Sequence, residues 1–125
     1  MAAKQFSSTV PIIRMSELLI VAFQTPPTDS QARQLLEDLL HAVVETGPKG
    51  IILDISTLEV LDSYLTRIIY DIARSARELG TRTAIVGMRP AVAITLVTMG
   101  LESLKIQTYL CTEDAMKNMA DNTRK

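Results

Sequence analysis

The chain has 125 residues, 47% of them hydrophobic, with 13 Lys+Arg against 14 Asp+Glu and a formal net charge of −1. This is the length of one domain able to bury a core, and the apolar content excludes a disordered polymer. The balanced charge provides no electrostatic footprint for nucleic acid.

Residues 1–9 read as a flexible leader. Residues 10–13 and 18–23 are apolar runs separated by Arg14-Met15-Ser16-Glu17, which predicts two antiparallel strands across a short turn. Pro26-Pro27 and Asp29 mark a connection, and Thr28 with Gln31 has the spacing of a capping box. Ala32, Leu35, Leu36, Leu39, Leu40, Val43 and Val44 then form a helical stripe, ended by Gly47-Pro48-Lys49-Gly50.

Residues 51–55 (Ile-Ile-Leu-Asp-Ile) form a compact run suited to a parallel strand covered on both faces. The period changes after it: Leu65, Ile68, Ile69, Ile72, Ala73, Ala76 and Leu79 recur at helical spacing, with Gly80 as the stop. Asp62 and Ser63 stand at the junction, where either can cap the helix. A hydroxyl here also lies at the positive end of the helix dipole, where a phosphoryl group is tolerated. Residues 83–86 predict a further strand, and Pro90 opens a helix over residues 91–99, stopped by Gly100. Residues 106–110 predict the last strand, and Thr112 caps a terminal helix with Glu113 and Asp114 in its first turn. Residues 121–125 are expected to fray.

The predicted order is ββαβαβαβα, an α/β domain over residues 10–120 with a mixed sheet of about five strands and about four helices. No apolar run reaches the ~18 residues of a membrane-spanning helix, and the polar start lacks the apolar core of a signal peptide. Cys111 is the only cysteine, so no intramolecular disulfide forms. A cytoplasmic location is expected.

Catalytic patterns are missing. His41 falls beside its helix stripe, and no G-x-S-x-G elbow accompanies a serine. No His/Cys cluster suggests a metal, and the glycine-containing turns lack nucleotide-loop spacing. Asp54 near a strand end invites a phospho-receiver reading, but no acidic pair follows the early strands to hold magnesium. Neither catalytic residues, a metal nor a cofactor is therefore expected. Arg67, at i+4 from Ser63, is either a partner for a charge there or a solvated helix cation.

The segments Leu53-Asp54-Ile55-Ser56-x-Leu58-x-x-Leu61-Asp62-Ser63 and Val86-Gly87-Met88-Arg89-Pro90-Ala91-Val92-Ala93-Ile94-Thr95-Leu96 resemble the STAS family over roughly residues 10–120. These are the domains of bacterial anti-sigma factor antagonists and sulfate-transporter tails; the resemblance is to the small RsbS-type scaffolds of stressosomes. It implies a mixed sheet with packed helices, and it puts the phosphorylated serine at Ser63, supported by Asp62, Asp54 and Arg67. Ser56 and Thr57 are local competitors, and Thr95 is a secondary phosphosite at best. The implied partners are an RsbR-type sensor paralogue in a large hetero-oligomer, a switch serine/threonine kinase released on phosphorylation, and a cognate phosphatase. The alternatives are a simple anti-sigma factor antagonist outside a large assembly, or a small α/β enzyme or nucleotide binder.

Overall fold

The computed structural model describes residues 4–6 and 10–121. Six strands form one sheet in sequential order: β1 (Lys4–Phe6), β2 (Ile12–Met15), β3 (Leu18–Ala22), β4 (Gly50–Asp54), β5 (Arg82–Val86) and β6 (Gln107–Tyr109). Strands β1 to β3 pair antiparallel, whereas β3 to β6 are parallel. Four helices complete the chain: α1 (Asp29–Thr46), α2 (Ser63–Glu78), α3 (Pro90–Thr98) and α4 (Thr112–Asp121).

The β2–β3 hairpin closes through Ser16 and Glu17, both at positive φ (54° and 65°), between paired Met15 and Leu18. A two-residue turn with both central residues left-handed matches the strand twist. Lys49 N–H donates to Glu17 O, tying this turn to the entrance of β4.

Because β3, β4, β5 and β6 run parallel in sequential order, each crossover returns in the same direction. One handedness therefore puts their helices on one face. Leu35 and Leu39 of α1, Ile69 and Ile72 of α2, and Val92 and Leu96 of α3 share a core with Leu19, Val21, Ile51, Leu53 and Ile85 of the sheet. The alternate strand residues Leu18, Ile20, Ile52, Ala84 and Val86 pack on the other face with Ala115 and Met119 of α4. Double coverage is why residues 51–53 are uniformly apolar instead of alternating.

The sheet and helix count include one strand beyond the expected hairpin. Part of the expected leader, residues 4–6, pairs with Ile12, Ile13 and Arg14. Three residues are too few for a period-two signal, so only the edge of β2 reveals this strand. The rest of that leader, residues 1–3 and 7–9, and residues 122–125 of the expected frayed tail lie outside the described residues. A 3-10 turn, Leu101–Leu104, was also not legible, and β6 is shorter than residues 106–110. No helix of the described residues is long and apolar enough to cross a membrane.

Candidate functional site: the loop from β4 to α2

The parallel strands deliver their connections to one edge of the sheet, and three of these meet: residues 55–62 after β4, 87–89 after β5 and 110–111 after β6. The first is the longest and carries Ser56, Thr57, Asp62 and, at its end, Ser63. It remains on the core because every third residue is buried: Ile55 and Leu58 are fully covered and Leu61 nearly so. Ile55 N–H continues the β4–β5 ladder to Val86 O, and Leu58 N–H closes a turn on Ile55 O. Between these anchors Ser56, Thr57, Glu59 and Val60 are exposed.

Several polar contacts fix the first half of the loop. Asp54 Oδ1 accepts from Ser56 N–H (3.0 Å) and Ser56 Oγ (2.7 Å), and its Oδ2 accepts from Thr112 Oγ1 at 3.3 Å. Asp54 is thus the strand-end carboxylate that gathers the loop and the start of α4. Thr112 spends its hydroxyl on this contact, so the expected capping role for it gives way; helix α4 starts at Thr112 itself, with Ala115 N–H donating to Cys111 O. Thr57 Oγ1 donates to Phe23 O, which anchors the loop to the end of β3. Arg89 reaches across from the next connection: its Nε and an Nη each donate to Ser56 O at 3.1 Å. Beneath that clamp Gly87 (φ +76°) comes so close that an added Cβ would meet Ser56 Cβ at 2.5 Å. Only a residue without a Cβ fits both that φ and that approach.

At the far end, Asp62 takes the capping role: its Oδ1 accepts from Leu65 N–H at 2.7 Å, and its carbonyl accepts from Thr66 N–H and Thr66 Oγ1. Ser63 is the first residue of α2 and is exposed. Its hydroxyl makes no hydrogen bond with the described residues, whereas those of Ser56 and Thr57 are both engaged. Thr95, half-buried on α3, donates to Ala91 O at 3.3 Å, one turn back. Arg67 is exposed and sits 3.4 Å from Asp71 Oδ1, which also has Arg74 at 3.8 Å. Its observed partner is therefore a carboxylate one turn beyond it, and Asp71, the residue that occupies it, was not legible as such. Sequence reasoning also missed the Arg89 clamp and the Thr112–Asp54 contact, because each joins residues more than thirty positions apart.

Around this edge, Val60, Ile94, Val97 and Met99 are exposed large apolar side chains, 72%, 69%, 52% and 46% accessible. Met99 lines a shallow groove with Thr66, Arg67 and Tyr70 of α2, so the end of α3 lies beside the first half of the helix that Ser63 begins. No group of three or more His, Cys, Asp or Glu side chains able to hold a metal occurs among the described residues.

Residues 9–115 match the family model of the STAS domain. The chain belongs to the STAS domain family. This STAS domain is similar to RsbS of Moorella thermoacetica, solved as a serine-to-glutamate variant: 36% identity, TM-score 0.86, covering 94% of this chain and all of that one. It is likewise similar to a chain of the stressosome, a signal integration and transduction hub, at 36% identity and TM-score 0.72, covering 89% of this chain and 99% of that one. Among curated proteins it resembles the RsbT co-antagonist protein RsbRA of Bacillus subtilis, with 26% identity over 101 residues, 80% of this chain. The STAS domain spans only 37% of the length of RsbRA, so RsbRA holds much that has no counterpart here.

Proposed function

We propose that this STAS domain is a phosphorylatable scaffold of a stressosome. In this reading Ser63 is the phosphoacceptor of a switch serine/threonine kinase. The unmodified scaffold holds that kinase, phosphorylation releases it into a stress-signalling pathway, and a cognate phosphatase resets the site. RsbR-type sensor paralogues co-assemble with the scaffold in a large cytoplasmic hetero-oligomer, and the chain itself is not an enzyme. The similarity to RsbS and to a stressosome chain supports the assembly.

One observation carries the choice of residue: Asp62 caps α2, which leaves the adjacent Ser63 hydroxyl exposed and uncommitted, while the competing hydroxyls of Ser56 and Thr57 are tied to Asp54 and Phe23. A phosphate on Ser63 adds roughly −1.5 to −2 charges at the start of a helix. The dipole offsets part of that, about 0.3–1 kcal/mol, while Asp62 and Glu59 repel it. The two effects are comparable, so the fold survives. A partner surface laid over Val60 and α3 would instead face a dianion that must lose its water, and each 1.4 kcal/mol of that cost weakens binding about tenfold. Arg67 is 69% exposed and i+4 from Ser63, within range of the new charge if it leaves Asp71, which keeps Arg74.

The experiment treats the chain with kinase and ATP, locates the phosphate by mass spectrometry, and titrates the kinase against unmodified, phosphorylated and Ser63→Ala forms. Phosphate on Ser63, weakened binding of that form with unchanged thermal unfolding, and a Ser63→Ala form that stays bound are the expected results. Phosphate chiefly on Ser56, Thr57 or Thr95, or equal affinity of the two forms, defeats the reading. Particle mass with a sensor paralogue separates a scaffold from a simple antagonist, which stays small.

A further inference from the structure

Arg89 stands at the N-cap position of α3 and gives that helix no side-chain cap. Ser, Thr, Asp and Asn are preferred there, because a short side chain carrying an oxygen can accept from the first free N–H groups. An arginine has no acceptor to offer. Its side chain goes instead to the neighbouring connection, where Nε and an Nη both donate to Ser56 O at 3.1 Å. Two residues earlier, Gly87 sits at φ +76° with its backbone packed directly on Ser56. Glycine and arginine in the 87–89 connection are thus fitted to Ser56, at the expense of the cap of α3. A position that gives up its local role is characteristic of a functional site.

Ser56 belongs to the loop that ends at Ser63. Ile55, Leu58 and Leu61 anchor this loop in the core, while Ser56, Thr57, Glu59 and Val60 face solvent. Between Ile55 and Leu58 the chain is held by polar contacts: Arg89 on Ser56 O, Asp54 on Ser56 N–H and Oγ, and Thr57 Oγ1 on Phe23 O. Arg89 is the cation among these donors, and charge-assisted hydrogen bonds are the stronger kind.

We propose that Arg89 is a positioning residue for phosphorylation of Ser63: it holds the 55–62 loop in the conformation that the switch kinase recognises. The inference rests on Ser63 being the phosphoacceptor, and Arg89 acts only through the loop. Ser63 is the first residue of a capped helix, so the kinase meets it in a folded setting and not in an extended peptide. Apparent affinity for a folded setting scales with the fraction of molecules that have it in place. Segments held by solvent-exposed contacts open most readily, and a loop set in advance saves the ordering cost at binding. The Ser63 hydroxyl and the Asp62 cap are left as they are when the clamp is lost. The effect therefore belongs in KM and not in kcat.

The test measures kcat and KM of the switch kinase with ATP on the full chain and its variants, with the phosphate located by mass spectrometry and each variant checked for thermal unfolding. Arg89→Gln is expected to raise KM about twofold to tenfold. Its kcat should stay within about twofold of the unsubstituted value. Arg89→Lys keeps the charge but not the planar fork and should fall between the two. Thr57→Val and Gly87→Ala disturb the same loop with Arg89 in place and should also raise KM; Thr57→Val carries the comparison if Gly87→Ala does not fold. Gly80→Ala, a strained glycine with open space around it, should leave both constants unchanged. Unchanged kinetics of Arg89→Gln would overturn the proposal. A raised KM in Arg89→Gln alone, with the other loop variants unaffected, would assign Arg89 to direct contact with the kinase and overturn its positioning role. A KM raised equally in Gly80→Ala would assign the effect to lost stability and also overturn it. An unsubstituted chain without phosphate on Ser63 defeats the phosphoacceptor reading, and the inference falls with it; phosphate on Ser63 with indifferent Arg89 variants defeats the inference alone.

Discussion

Gly87→Ala is the substitution that tests whether the Ser63 loop is held by one connection packing directly on another. Gly87 has φ +76°, and an added Cβ would lie 2.5 Å from Ser56 Cβ and 2.9 Å from Ser56 Cα. Gly80 is the internal control: its φ is +87°, but nothing lies within 4 Å of a Cβ there. Either alanine must adopt a left-handed backbone, at ~1–2 kcal/mol, partly offset by ~0.4–1 kcal/mol from a stiffer unfolded chain. Gly80→Ala is therefore expected to destabilise by about 1 kcal/mol. Gly87→Ala adds the overlap with Ser56, whose backbone is pinned by Arg89 and Asp54 and cannot simply retreat. Overpacking of this kind costs ~1–3 kcal/mol, so the total is about 2–4 kcal/mol. At roughly 4 °C per kcal/mol for a chain of this length, the two variants should differ in Tm by about 4–12 °C. Urea unfolding gives the same difference directly, and amide shifts in Gly87→Ala should concentrate in residues 55–63. Equal losses in the two variants, or an unperturbed loop in Gly87→Ala, would refute the packing argument.

Asp62→Ala should lower stability by about 1 kcal/mol through loss of the α2 cap, while Asp62→Asn retains most of it; urea midpoints decide. Leu58→Ala, at a fully buried loop anchor, should cost ~2–5 kcal/mol, whereas Val60→Ala two residues on should stay within ~0.5 kcal/mol, measured the same way. Arg89→Gln removes the two-donor clamp on Ser56 O, and hydrogen exchange at residues 55–58 should speed up about twofold to tenfold with little change in the global midpoint.

The relation between sequence and structure divides along the range of the interactions. Local chemistry was sufficient wherever a feature is set within one turn or one strand. The capping box appears as read, with Thr28 Oγ1 accepting from Gln31 N–H and Gln31 Oε1 accepting from Thr28 N–H. Pro90 opens α3, and the stripe from Leu65 to Ala76 is the buried face of α2, while Leu79, its last expected member, caps the helix and is half exposed. The apolar run at residues 51–53 announced a strand covered on both sides, and the sheet covers it with α2 on one face and α4 on the other. Periodicity and capping depend on neighbours three or four positions apart, so the sequence displays them.

What sequence left open at the junction was which residue does what. Asp62 and Ser63 were equal candidates for the cap; in the fold the carboxylate of Asp62 reaches Leu65 N–H, and Ser63 is left exposed one position later. The arrangement of the loop is decided by partners remote in sequence: Arg89 on Ser56 O, Thr112 on Asp54, Thr57 on Phe23 O. None of these has a periodic or positional signature, since an exposed arginine and a threonine before an acidic pair both have ordinary local roles.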